Sequence, residues 1–379
     1  MAEHLKLEEL MIFALKRDYK PEIAQNYISR YFALKHKLYI DLLDWIRANE
    51  PMLSDHGPTH IDNVLNNACK LLEKEINSLY DKDGNKAQYK GIDLFLLCTS
   101  ILFHDVGNFF QRKYHNQNID RVIQDLFSQF FYSEHKREKQ HIITIGKAHT
   151  GKGEDGSSNP LKDVPESEHS AGEKIKLRSI AAIVRLADEL AEGPQRTCQY
   201  MGMMRKITPE SEIYHRYADC TNIMIDANNG RINLAYEIEI NASESQNFSQ
   251  KDREYLQNLL ELIYKRIFKL DQERKYCGYY CDILKSIKET QVSFSFYNKG
   301  ILVDFKLNPL VLTDLTVPGD KAKSIIDGRG DLEINAVIDN LDKALSCMSL
   351  QPIISSEKTE NITEPLDRKK GWFAKLLGA

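Results

Sequence analysis

The chain has few cysteines, seven in 379 residues, and none of them form a CxxC pair; Cys277 and Cys281 are the nearest two. That spacing argues against a structural zinc knuckle and for reduced thiols in a cytoplasm. There is no excess of basic charge either. Lys and Arg number 51 against 55 Asp and Glu, a formal net charge of −4. A general attraction to nucleic acid or to anionic membranes is therefore not expected, although a local basic groove stays open. The N-terminus, Met1-Ala2-Glu3-His4-Leu5-Lys6, lacks the apolar core of a signal peptide, and no apolar run reads as long enough to cross a bilayer. The expectation is a cytoplasmic protein without stable membrane insertion. No repeat of solenoid period is visible.

What is present is helical periodicity. Leu7, Leu10, Met11 and Ala14, and later Leu38, Ile40, Leu43, Trp45 and Ile46, recur at helical spacing, with Pro21 interrupting. After Gly57-Pro58 a helix is expected through Val64, Leu65, Ala68, Leu71 and Leu72 to about Ile76, with Pro58 suited to its first position. His60 lies in its first turn and shares a face with Val64. A lone histidine on an apolar face is commonly a satisfied core residue; His56 and His60 bracketing a Gly-Pro turn favour a ligand.

The apolar run Leu94–Phe103 reads as a buried helix that delivers His104 and Asp105 at its end. Gly107 is expected to be a C-cap in a positive-φ conformation. Imidazole nitrogen and carboxylate oxygen suit borderline divalent metals, but an HD dipeptide alone also occurs on solvated surfaces. Beyond it come Asn108, Arg112 and His115. An amphipathic helix should then bury Ile119, Val122, Ile123, Leu126, Phe127 and Phe130. The charged stretch Glu134–Lys139 reads as a solvated face. A helix carrying Ile142, Ile143 and Ile145 should end at His149. His141 and His149 lie about 12 Å apart along such a helix and cannot share one ion without bending. His149, before a glycine-rich loop from Gly151 to about Glu168, is the better candidate. That loop reads equally as disordered or as a lid. A central helix follows with Ile175, Leu177, Ile180, Ala181, Ile183, Val184, Leu186 and Ala187, and Asp188 beyond them needs a partner. A metal would serve, as would Arg185 or a neighbouring helix.

After about residue 200 the pattern changes. Ile223–Ile240 reads as a hairpin about Asn229-Gly230. A helix is expected from about Asp252 to Leu270, then strands at Val292–Phe296 and Ile301–Phe305, then mostly helix to about Ser349. From Ser355 the tail is polar, ending in the basic amphipathic stretch Arg368–Leu377. The expected division is a helical domain over 1–200 with residues 1–36 packed on it, an α+β accessory domain over 201–355, and a flexible tail over 356–379.

The order His60, His104-Asp105, Asp188, in the contexts HGPTHIDNV, ILFHDVGN and IVRLADEL, resembles the HD superfamily of metal-dependent phosphohydrolases over roughly residues 37–200. The extra histidines resemble those of HD-GYP-like phosphodiesterases, where added histidines complete a second metal site. The resemblance implies a mainly α fold, an HD-type helical bundle followed by a smaller α+β domain with a short antiparallel sheet. It implies that His60, His104, Asp105 and Asp188 hold a first metal, and makes His115 and His149 candidates for a second, with Asp105 bridging. It also implies one or two divalent ions per chain, from among Mn, Mg, Fe, Zn or Ni. Two features depart from the pattern. Asn108 stands where many relatives carry lysine, and the GYP-type signature after His149 is absent, which argues against cyclic dinucleotide cleavage of that kind.

Two divalent ions bring +4 against −2 from Asp105 and Asp188, a surplus that a phosphate can answer. The expected activity is hydrolysis of a nucleotide or nucleotide-like phosphoester by metal-activated water, with Asp105 in the catalytic set and Arg112 and Arg196 as phosphate clamps. The alternative is a nucleotide-sensing module without turnover that signals to a partner protein through its C-terminal domain. Nucleic acid as a partner and self-association both stay open.

Overall fold

The computed structural model of the protein describes residues 4–43, 45–46, 57–80, 87–110, 112–150, 156–197, 209–240, 248–315, 326 and 328–348. His56, residues 151–155 of the glycine-rich loop and the whole tail, including Arg368–Leu377, lie outside the described residues.

The fold is mainly α with a C-terminal mixed sheet. Its principal helices are α1 (Lys6–Asp18), α2 (Pro21–Leu38), α3 (Pro58–Leu71), α4 (Gly91–Phe103), α5 (Ile119–Leu126), α6 (Lys136–Lys147), α7 (Leu177–Glu189), α8 (Pro209–Cys220), α9 (Gln250–Tyr280) and α10 (Ile334–Met348). Helix α4 is the axle, and every one of its residues is buried. Such a helix needs neighbours on all sides, and α1, α2, α3, α6 and α7 supply them. Its first turn is tied down by Asp93, whose carboxylate accepts the backbone N–H groups of Lys90 and Lys176 at 2.9 and 3.0 Å. Helix α7 packs on α3, α4, α6 and α9, the central position its apolar faces require.

The stretch Gly91–Phe109 does have the length and composition to cross a bilayer, contrary to the reading of a shorter apolar run, but 94% of it is buried inside the fold. The apolar surface that a membrane would take is covered by neighbouring helices.

The Asn-Gly hairpin forms as expected: β3 (Thr221–Asp226) pairs antiparallel with β4 (Arg231–Glu239), Gly230 taking φ +69°. Helix α9 is 31 residues long, well past Leu270. It serves as the crossover to β5 (Glu289–Asn298), which therefore runs parallel to β4, with Tyr236 beside Phe294. Strand β6 is only Ile301–Leu302. A further strand, β7 (Leu310–Thr313), also pairs with β5 where helix was expected. One apolar core runs from α1 through the sheet to α10.

Two local readings are corrected. Glu138 does not face solvent: it is buried, bonded to the Tyr27 hydroxyl at 2.7 Å and paired with Arg30. Ile175 belongs to a small hairpin, β1 (Glu168–Ser170) with β2 (Glu173–Ile175), ahead of α7. The described part of the glycine-rich loop is packed, with Leu161 and Val164 buried and Asn159 Oδ1 accepting bonds from Tyr276 and Tyr280 at 2.9 and 3.0 Å.

Candidate metal centre

Six side chains from five places in the chain meet beside the C-terminal end of α4. His60 comes from the first turn of α3, where Pro58 opens the helix. His104 caps α4, and Asp105 follows with φ −104° and ψ 0°, leaving the helical path so that the two neighbours point into the same space. Asp188 sits one residue before the end of α7. His115 opens a 3₁₀ turn after Tyr114, a non-glycine residue at φ +65°. His149 lies two residues past the end of α6.

They form two groups. His60, His104 and Asp188 make one; Asp105, His115 and His149 make the other. In the first, His60 Nε2 lies 3.2 Å and His104 Nε2 3.5 Å from Asp188 Oδ1. In the second, His115 Nε2 and His149 Nε2 lie 3.3 and 3.5 Å from Asp105 Oδ1, and 3.0 Å from each other. The other oxygen of Asp105 faces the first group, 3.4 Å from His104 Nε2 and 3.6 Å from His60 Nε2. One carboxylate therefore joins both groups, an oxygen to each.

The imidazoles are held in a fixed sense. His104 Nδ1 lies 2.8 Å from the carbonyl of Ile101, His115 Nδ1 lies 3.0 Å from that of Arg112, and His149 Nδ1 bonds the carbonyl of Gly146. A carbonyl can only accept, so each Nδ1 carries the hydrogen and, in a neutral ring, each Nε2 presents a lone pair to the cluster. Three acceptors then converge in the second group with no donor among them. His104 Nε2 is buried and makes no hydrogen bond. A cation resolves both situations, and neutral imidazole with carboxylate is a donor set that divalent transition metals accept. The carbonyls behind the rings are the supporting contacts such ligands need.

Without an ion, protons take up part of the strain. Burial pulls the His104 pKa down, but the carboxylates of Asp105 and Asp188 outweigh it and leave that ring well above its ordinary value. For Asp188, burial pushes upward, yet contacts with His104 and His60 hold it well below the usual carboxylate range. Burial and then the nearby charge of Arg196 bring His60 down to about 4. His115 is raised, Asp105 outweighing burial, and His149 is lowered by burial.

Gly107 is required here for a reason other than a positive φ, which it does not adopt. A Cβ at this position would stand 1.8 Å from the carbonyl oxygen of His115. The two backbones touch, and only glycine lets His115 come so close.

Of the expected clamps, Arg196 is buried, 3.4 Å from Glu192, with its Nε making no hydrogen bond. Arg112 is exposed, and what it gives the cluster is its carbonyl. His141 stands apart, its Nε2 3.5 Å from the carbonyl of His169. Arg185 does not pair with Asp188; it binds Glu273 on α9. No sequence signal marked Glu273, which lies 88 positions away.

A helical bundle with histidine–aspartate groups at the end of its central helix, capable of holding metal, defines an HD-type domain. A family model described as HD-CE matches residues 50–265, more than half of the chain. The chain belongs to that family. No curated protein and no solved structure matches it.

Proposed function

We propose that the protein is a metal-dependent phosphohydrolase or phosphodiesterase acting on a nucleotide or nucleotide-like phosphoester. The observation that carries this reading is the division of Asp105, one oxygen toward each of two donor groups. His60, His104 and Asp188 would hold one divalent ion and His115 and His149 a second, with Asp105 shared. Bound ions supply an activated water and offset charge on the phosphoryl oxygens. The chain's own part is to place donors around the phosphate and to aim each imidazole Nε2 into the cluster. Arg196, buried and close enough for its charge to act on His60, has an Nε–H that makes no hydrogen bond among the described residues and is suited to a phosphate oxygen.

The test is product release across a nucleotide panel with Mn²⁺ or Mg²⁺, comparing native protein with the His104→Ala, Asp105→Ala double variant. Metal-dependent product from the native protein alone supports the reading. One observation favours a second reading, a nucleotide sensor that signals through the C-terminal sheet. Asn108, buried with its Oδ1 making no hydrogen bond, offers no cation or acid beside the cluster. Tight nucleotide binding with no product in any metal would select the sensor and end the hydrolase proposal.

A further inference from the structure

His149 sits where its backbone has lost helical support. Helix α6 ends at Lys147, so the carbonyls on either side of His149, those of Ala148 and Thr150, lie past the point where i+4 amides would bond them. Both accept from the same group, Nη1 of Arg185, at 3.3 Å for Ala148 and in a closer contact for Thr150. Arg185 is on α7, three residues before Asp188, and is buried. Nε and Nη2 meet the two carboxylate oxygens of Glu273 at 2.6 and 2.7 Å, a bidentate pair, and the guanidinium lies over the Tyr276 ring at 5.0 Å. Glu273 and Tyr276 are both on α9.

The next residue on α9 faces the other way. Arg274 is buried against the sheet, bonding the carbonyl of Ile287, Thr290 Oγ1 on β5, Asp271, and Asp314 just past β7. The sheet thus fixes the rotation of α9, and that rotation sets where Glu273 points.

We infer that Arg185, held by Glu273, is the positioning residue for His149, so that the second ion pocket is complete only when α9 and the sheet behind it are docked. This rests on the two-ion reading above. Arg185 touches neither pocket; it acts by fixing the backbone from which His149 reaches Asp105. The C-terminal region is then part of the site's construction.

The experiment uses the full chain with Arg185→Lys, which keeps a charge but cannot fork to two carbonyls and a carboxylate, and Glu273→Gln, which keeps the shape and removes the charge. Two quantities are read. The first is Mn²⁺ bound per chain after dialysis. The second is amide hydrogen exchange of the metal-free protein over residues 146–150, referenced to α4. The expected result is a fall from two ions to one in both variants. Exchange over 146–150 should be at least about tenfold faster while that of α4 is unchanged, a local opening rather than global loosening. Two ions retained with native exchange over 146–150 would overturn the inference, as would equal loss of both ions with α4 exchange accelerated. If the native protein takes up fewer than two ions, the two-ion reading fails, and the exchange comparison alone still decides whether Arg185 positions His149.

Discussion

Nε2 of His115 lies 3.0 Å from Nε2 of His149, and both face the same oxygen of Asp105. With each Nδ1 hydrogen committed to a carbonyl, two neutral rings would point lone pairs at each other. The arrangement is favourable only with a positive charge between them, a proton or a metal ion, and the following expectations come from that competition.

Metal uptake should be proton-linked. The carboxylates of Asp105 and Asp188 hold His104 above its ordinary pKa, so in the metal-free protein its ring keeps a proton to higher pH than a free imidazole and must lose it to bind. His115 is raised in the same direction, whereas His60, at about 4, and His149, lowered, are already neutral and release nothing. The sign follows: affinity falls as pH drops and rises as pH increases through the His104 value. The slope should be roughly tenfold per pH unit for each proton displaced. Calorimetric titration of the metal in buffers of different ionisation enthalpy reads the released protons directly. Uptake independent of both pH and buffer would contradict the assignment.

Gly107→Ala should damage the second group selectively. The added methyl would meet the backbone carbonyl oxygen of His115 at 1.8 Å, an atom that cannot rotate aside, so His115 has to move. Overpacking of this kind costs about 1–3 kcal/mol, which a chain with so extensive a core should survive. The expected outcome by thermal unfolding and metal counting is a folded protein with a lowered melting temperature that has lost one ion. A variant with native metal content would show that the close approach of Gly107 and His115 is not needed.

Arg196→Ala should weaken phosphoester binding more than turnover. A charged hydrogen bond of this kind contributes about 1.5–3 kcal/mol, hence a KM raised roughly tenfold or more, with kcat affected less. Arg196→Lys should recover only part of the loss, since lysine cannot present the guanidinium fork. Steady-state kinetics with the best substrate from the nucleotide panel decides, and an unchanged KM would remove Arg196 from the site.

The sequence made the cluster readable because each of these members carries its own local mark: His60 beside a Gly-Pro helix start, His104-Asp105 at the end of an apolar run, Asp188 at the end of another. The Asn-Gly hairpin was legible for the same reason, being a contact between near neighbours. What could not be read depends on partners distant in the chain. Glu138 looks like one more solvated charge in a charged stretch until Arg30, 108 positions earlier, is brought against it. The parallel pairing of β4 with β5 needs the whole of α9 as a crossover, and periodicity alone had that helix ending ten residues early. Gly107 was correctly singled out for the wrong cause, since a close approach between two backbones leaves no trace in local propensity. The tie from Glu273 to His149 through Arg185 joins three segments, none of which announces the others.

The most direct measurement is the metal content of purified protein by elemental analysis, for the native chain and for Asp188→Ala, His149→Ala and Asp105→Ala. Two divalent ions per native chain, one in each of the first two variants and fewer than one in Asp105→Ala, is the predicted set. A native protein without stoichiometric metal, or an Asp105→Ala variant that keeps both ions, would contradict the account.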